Sequence, residues 1–94
     1  MKEDLLEIFK HFGVRNQRDK LCEEFRELQD EIFCTFELGI DRKNLLNEGV
    51  DVISLILQFL FDYGYDTKEI IDELQTRIKR TVFRKNNGYY DKKI

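Results

Sequence analysis

The apolar residues of this chain recur at three- and four-residue intervals in long runs that no proline interrupts, and glycines stand where the runs end. That period puts them on one face of a helix, whereas a strand would need strict alternation. Leu5, Leu6, Phe9 and Phe12 lead to Gly13, which predicts a first helix over residues 3–12. From about Asn16, Leu21, Phe25, Leu28, Ile32 and Phe36 form a stripe continuing to Gly39, a second long helix with that stripe as its core face. Asp41 is the expected cap of a third helix through NLLNEGVDVISLILQFLFDYG, which stops at Gly64. Asp66, with Glu69 three residues on, forms a capping box for a fourth, with Ile70, Ile71, Leu74 and Ile78 on its inner side. The expected fold is all-α: a four-helix bundle with short connections and antiparallel neighbours.

The chain reads as one domain, residues 1–94, with a basic C-terminal segment over 77–94. A domain this small leaves much of its surface wet, and the third helix is apolar around most of its circumference. Such a helix belongs at the centre of a fold or between copies, so a homodimer or homotetramer is expected. A net charge of −3 argues against any large sequence-independent hold on nucleic acid, which Lys and Arg would have to power. Cys22 and Cys34 are too few for a disulfide framework or a zinc site of the usual spacing, and are expected to be reduced and inert. The first residues, MKEDLLEIFK, carry acids where a secretory signal needs basic and then apolar residues, and the apolar stretch Val52–Phe61 is too short to span a bilayer. A cytoplasmic protein without membrane contact is the expectation.

The segment EEFRELQDEI, residues 23–32, crowds acids onto the second helix. At 100° per residue Glu23 points away from the apolar stripe, while Glu24, Glu27 and Glu31 line one flank. Lys20 can pair with Glu24 at i+4, but Glu27 and Glu31 repel each other at the same spacing. On the third helix, Asn44, Asn47, Glu48, Asp51, Ser54 and Gln58 form a narrow polar strip amid Val52, Leu55 and Phe59. Carboxylates in such surroundings must be paired, neutralised or bound to a cation. Two helices that each present an i, i+3 acid pair can close four carboxylates around one pocket, and hard oxygen ligands of that kind suit Mg²⁺ or Mn²⁺. The only histidine, His11, is not placed for the Glu-x-x-His pattern of di-iron bundles.

The acids also carry a family pattern: E-E-x-x-E at Glu23, Glu24 and Glu27, then E-x-x-D at Glu48 and Asp51. With its context, KLCEEFREL and EGVDVISLILQFL, this resembles the MazG-like all-α nucleoside triphosphate pyrophosphohydrolases, and the likeness runs from about His11 to Arg84. The resemblance implies Mg²⁺-dependent cleavage of an NTP or dNTP between its α and β phosphates, releasing a nucleoside monophosphate and pyrophosphate. It implies Glu24, Glu27, Glu48 and Asp51 as metal ligands, with Glu23 as an outer-shell residue or base. Arg77 and Arg80 resemble the family's basic pair, and with Lys20 they are the cations expected to meet substrate phosphate.

Plainer readings stand beside these. Acid pairs at i, i+3 are common on solvated helix faces, and buried ion pairs with arginines are the main structural competitor at Glu48 and Asp51. Basic residues late in the fourth helix oppose its dipole without any ligand. Asn16 and Gln17 suit a base edge or a helix start, and Tyr89 and Tyr90 suit base stacking or packing of the tail. The alternative function is a non-catalytic helical interaction module whose acidic strip meets a basic partner.

Overall fold

The computed structural model describes residues 1–91, and all regular structure among them is helical. The helices are α1 (Lys2–Phe12), α2 (Val14–Ile32), α3 (Leu45–Tyr63) and α4 (Thr67–Asn86). A π-helical turn, Phe33–Glu37, prolongs α2, and a 3₁₀ turn, Tyr89–Asp91, follows α4. The chain divides into two compact units, Met1–Gly64 and Tyr65–Ile94. The basic segment predicted over 77–94 runs into residues 92–94, which lie outside the described residues.

In the first unit, α1 carries Glu3 and Asp4 in its first turn and Lys10 and His11 in its last, each sign opposing the helix dipole. It ends where Gly13 takes φ +89°, a conformation that costs a residue without Cβ little. The Gly13 amide donates to the Phe9 carbonyl at 2.9 Å, and the Asn16 side chain donates to the Phe12 carbonyl at 2.7 Å. Asn16 therefore closes the end of α1, satisfying one of the carbonyls a helix leaves without a partner.

Helix α3 is the centre of this unit and packs against both α1 and α2. The buried apolar residues are few, Phe9 from α1 with Val52, Leu55 and Phe61 from α3. Each contributes about 1.5–3 kcal/mol by leaving water. The Phe9 ring meets Phe59 edge to face at 5.1 Å, and the Lys2 ammonium lies 5.6 Å from the Phe61 ring centre. The opposite side of α3, with Leu46, Val50 and Ile53, is exposed.

Two expectations are corrected here. Helix α2 does not bury the stripe of Phe25, Ile32 and Phe36, which are 43%, 43% and 72% exposed; it buries Gln17, Glu24 and Glu31. These stand seven residues apart, with Leu21 and Leu28 half-buried between them, so the seam facing α3 follows a 3.5-residue repeat with a polar group at every seventh position. Asp41 does not cap α3, which begins after Asn44 without a side-chain cap. Asp41 instead accepts the Lys43 amide at 2.9 Å and holds Lys43 at φ +64°, an Asx-type turn that aims the connection before α3 starts.

The second unit is built on α4. Its capping box is present, with Asp66 accepting the Glu69 amide at 2.8 Å and Glu69 accepting the Asp66 amide at 3.0 Å. Pairs Lys68–Asp72 at 2.6 Å and Arg77–Glu73 at 2.7 Å add i, i+4 support. Its apolar stripe of Ile71, Leu74 and Ile78 is about half exposed, and no residue of α4 is buried. The Arg84 guanidinium lies over Tyr89 at 4.6 Å, and Tyr89 meets Tyr90 edge to face at 5.0 Å. Among the described residues, no helix is long and apolar enough to cross a membrane.

Candidate metal centre

Because the α2 seam carries acids, packing α2 on α3 brings carboxylates from both helices together. Ligand oxygens of Glu24, Glu48 and Asp51 all lie within 4.8 Å of one another, and a second group, Glu23, Glu24 and Glu27, meets the first at Glu24. The five acids therefore form one patch with Glu24 at its middle. Glu24 is 5% exposed and Glu48 half-buried, whereas Glu23, Glu27 and Asp51 are open to solvent.

A buried carboxylate needs each oxygen satisfied, and here the supply falls short. Glu24 receives the Lys20 ammonium on Oε1 at 3.1 Å, but its Oε2 is buried without a hydrogen-bond partner. One oxygen of Glu48 is likewise buried and unpartnered. The crowding shows at Glu27: the Glu24 carboxylate beside it, and to a lesser degree burial and Glu48, hold the Glu27 carboxyl above its ordinary range. Lys20 is also 3.8 Å from Glu23, and its hydrogen bond to Glu24 and the surrounding acids raise its pKa. Glu24 and Glu48, each with an orphaned oxygen, stand among hard oxygen donors from two helices, a set that could hold Mg²⁺ or Mn²⁺.

Glu31 follows a different course. The Arg42 guanidinium, from the connection before α3, pairs with Glu31 and also with Asp30 at 3.1 Å. Glu31 is thus the buried acid of α2 that meets an arginine; its Oε2 likewise has no hydrogen-bond partner, but it belongs to neither ligand group among the described residues. The sequence signal for this pair was weak, because Arg42 reaches Glu31 only through the path of the 38–44 connection.

Beside the carboxylates lies an open cleft of about 570 Å³. Ile8, Phe12 and Leu55 give it apolar walls, Asn16, Gln17, Ser54 and Gln58 supply amides and a hydroxyl, and Lys20, Glu24 and Asp51 join it to the acidic patch. Gln17 Nε2 donates to Gln58 Oε1 at 2.8 Å, a buried clasp between α2 and α3, and Gln58 Nε2 donates to Ser54 at 3.4 Å. Sequence reasoning singled out Gln17 but not the clasp, which depends on the register of two helices. Of the cations expected at phosphate, Lys20 is at the cleft; Arg77 and Arg80 belong to α4 in the second unit, where Arg77 is paired with Glu73. Compared with models of protein families, with curated proteins and with solved structures, the chain gives no match.

Proposed function

We propose that this chain is a Mg²⁺-dependent nucleotide pyrophosphohydrolase acting as a homo-oligomer. The observation that carries the reading is Glu24: a carboxylate 5% exposed, with one oxygen lacking any partner, within 4.8 Å of ligand oxygens from Glu48 and Asp51 on another helix. Glu24, Glu48 and Asp51 would hold the cation, with Glu27 and Glu23 on its solvent side. A divalent cation there supplies charge neutralisation of phosphate oxygens and makes a bound water more acidic.

The remaining work falls to the chain's own groups. The cleft takes the nucleoside, its sugar and base against Ile8, Phe12 and Leu55, with the Asn16 and Gln17 amides at its polar side. That arrangement aims the phosphates at the carboxylate patch, where Lys20 offers an ammonium. Glu27, exposed and adjoining both Glu24 and Glu48, accepts a proton from the attacking water. The water oxygen bonds to the α phosphorus, the bridging bond to the β phosphate breaks, and nucleoside monophosphate and pyrophosphate leave.

Association is supported by the exposed apolar side of α3 and, separately, by the half-exposed stripe of α4, since contiguous apolar faces of this kind mark contacts between molecules. Light scattering after size exclusion should give a dimer or tetramer at micromolar concentration, and a stable monomer would count against this part. The activity is tested with a panel of nucleoside and deoxynucleoside triphosphates, Mg²⁺ and a pyrophosphate assay, beside Glu48→Gln. Release by the wild type that the variant loses supports the reading. No release from any substrate, or equal release by both, overturns it in favour of a helical interaction module.

A further inference from the structure

Lys20 stands where two demands meet. Its ammonium is 3.1 Å from Glu24 Oε1 and 3.8 Å from Glu23 Oε1, and the same side chain lines the cleft with Asn16 and Gln17. Taken as a surface pair at i, i+4 it would be unremarkable, but its partner is not on the surface: the Glu24 side chain is 7% exposed against 50% for Lys20. Burying a carboxylate costs free energy unless cations or donors meet it, and Lys20 meets a single oxygen of Glu24 while Oε2 stays unpartnered.

On the reading that the patch is a divalent-metal centre, we infer that Lys20 is its exchangeable counter-ion: it holds Glu24 until a divalent cation takes that carboxylate, and then turns into the cleft to meet the phosphates. The geometry supports each half of the exchange. A divalent ion brings twice the charge and gathers oxygens from Glu24, Glu48 and Asp51 together, whereas the ion pairs of Lys20 are with Glu23 and Glu24. An ammonium and a metal ion beside the same oxygen repel each other strongly at such short range, so the flexible partner leaves. Lys20 can do so easily, because its stem is half exposed, and a long lysine side chain reorients without disturbing a packed core. Lys20 already lines the cleft beside Asn16 and Gln17, and an incoming polyphosphate is the charge that would draw its ammonium there.

The test needs no turnover. Mn²⁺ binding is measured by calorimetry or electron paramagnetic resonance, without nucleotide, for the wild type, Lys20→Met and Lys20→Arg. Removing the competing cation should tighten Mn²⁺ binding about two- to fivefold in Lys20→Met, the scale of one partly exposed ion pair, whereas Lys20→Arg should bind no better than the wild type. With Mn²⁺ saturating, inorganic pyrophosphate should bind Lys20→Met more weakly than the wild type. Folding of the variants is independent of a further measurement on the wild type: the ¹⁵Nζ resonance of Lys20, identified by its loss in Lys20→Arg, should move along the same curve as Mg²⁺ saturation. Equal or weaker Mn²⁺ binding by Lys20→Met, or a Lys20 resonance unmoved at saturating Mg²⁺, overturns the inference. If the exchange occurs but no nucleotide is cleaved, the counter-ion stands and the enzyme reading falls. If pyrophosphate is released but Lys20 does not exchange, the reverse holds, and absence of any Mn²⁺ binding removes both.

Discussion

Replacing Glu24 with Gln should stabilise the protein in chelator while abolishing its response to metal. Glu24 is 5% exposed, and ligand oxygens of Glu48 and Asp51 lie within 4.8 Å of its own. Two like charges at that separation repel by roughly 3 kcal/mol at an effective dielectric near 20, and solvent around Asp51 reduces its share. The unpartnered Oε2 adds about 1–3 kcal/mol of uncompensated desolvation. Gln keeps the shape, removes the charge and offers an amide donor to the neighbouring acids. Loss of the pair with half-exposed Lys20 offsets only part of this gain. At the low end of each gain, and with about 1 kcal/mol lost with the Lys20 pair, the net is about 3 kcal/mol, or roughly 12–24 °C in Tm for a chain of this length. Thermal unfolding followed by circular dichroism, in EDTA and in Mn²⁺, reads both halves. The wild type should melt lower than the variant in EDTA and rise when Mn²⁺ binds the native form, and Glu24→Gln should be indifferent to Mn²⁺. A variant that melts below the wild type in EDTA would refute the reasoning, because Glu24 would then be contributing stability through its own partners.

The raised Glu27 carboxyl makes a pH prediction. Between its ordinary value of 4.5 and the higher folded value, the native state binds more protons than the unfolded state, so this group's contribution to stability falls as pH rises through that window. In EDTA the stability difference between Glu27→Gln and wild type should therefore grow in the variant's favour from pH 4.5 towards neutrality, and a flat difference would contradict the placement. Arg42→Met should leave the buried Glu31 carboxylate without its cation and lower the Tm by about 5–10 °C, with Arg42→Met/Glu31→Met recovering most of the loss. Asp66→Ala should remove about 1 kcal/mol of support from the start of α4, seen as lost helicity in far-ultraviolet circular dichroism.

What could be read from the residues alone follows how local each feature is. Gly13, Gly64 and the Asp66–Glu69 box decide their helix ends within a few residues, and all three appear where the pattern places them. The i, i+3 spacings of Glu24 with Glu27 and Glu48 with Asp51 are local too, and the packing of α2 on α3 brings Glu24, but not Glu27, into one group with Glu48 and Asp51. The orientation of α2 differs from the apolar pattern because Phe25, Ile32 and Phe36 pull an apolar average away from the side that is buried. The better signal was the seven-residue spacing of Gln17, Glu24 and Glu31, which looks like surface polarity until a partner helix is supplied. Asp41 reads as a cap in the sequence because capping residues and Asx turns share one chemistry, an acceptor aimed at a nearby amide. The Gln17–Gln58 clasp and the Arg42–Glu31 pair join residues whose meeting depends on helix register and on the path of a connection, which no single-helix pattern encodes.

The proposed function requires oxygens from α2 and α3 to hold one divalent cation jointly. An anomalous difference map from crystals grown with Mn²⁺ tests it most directly. The expected result is a peak coordinated by Glu24, Glu48 and Asp51 that is absent from crystals of Glu48→Gln. A peak elsewhere, or none at these carboxylates while Lys20 still holds Glu24, would contradict it.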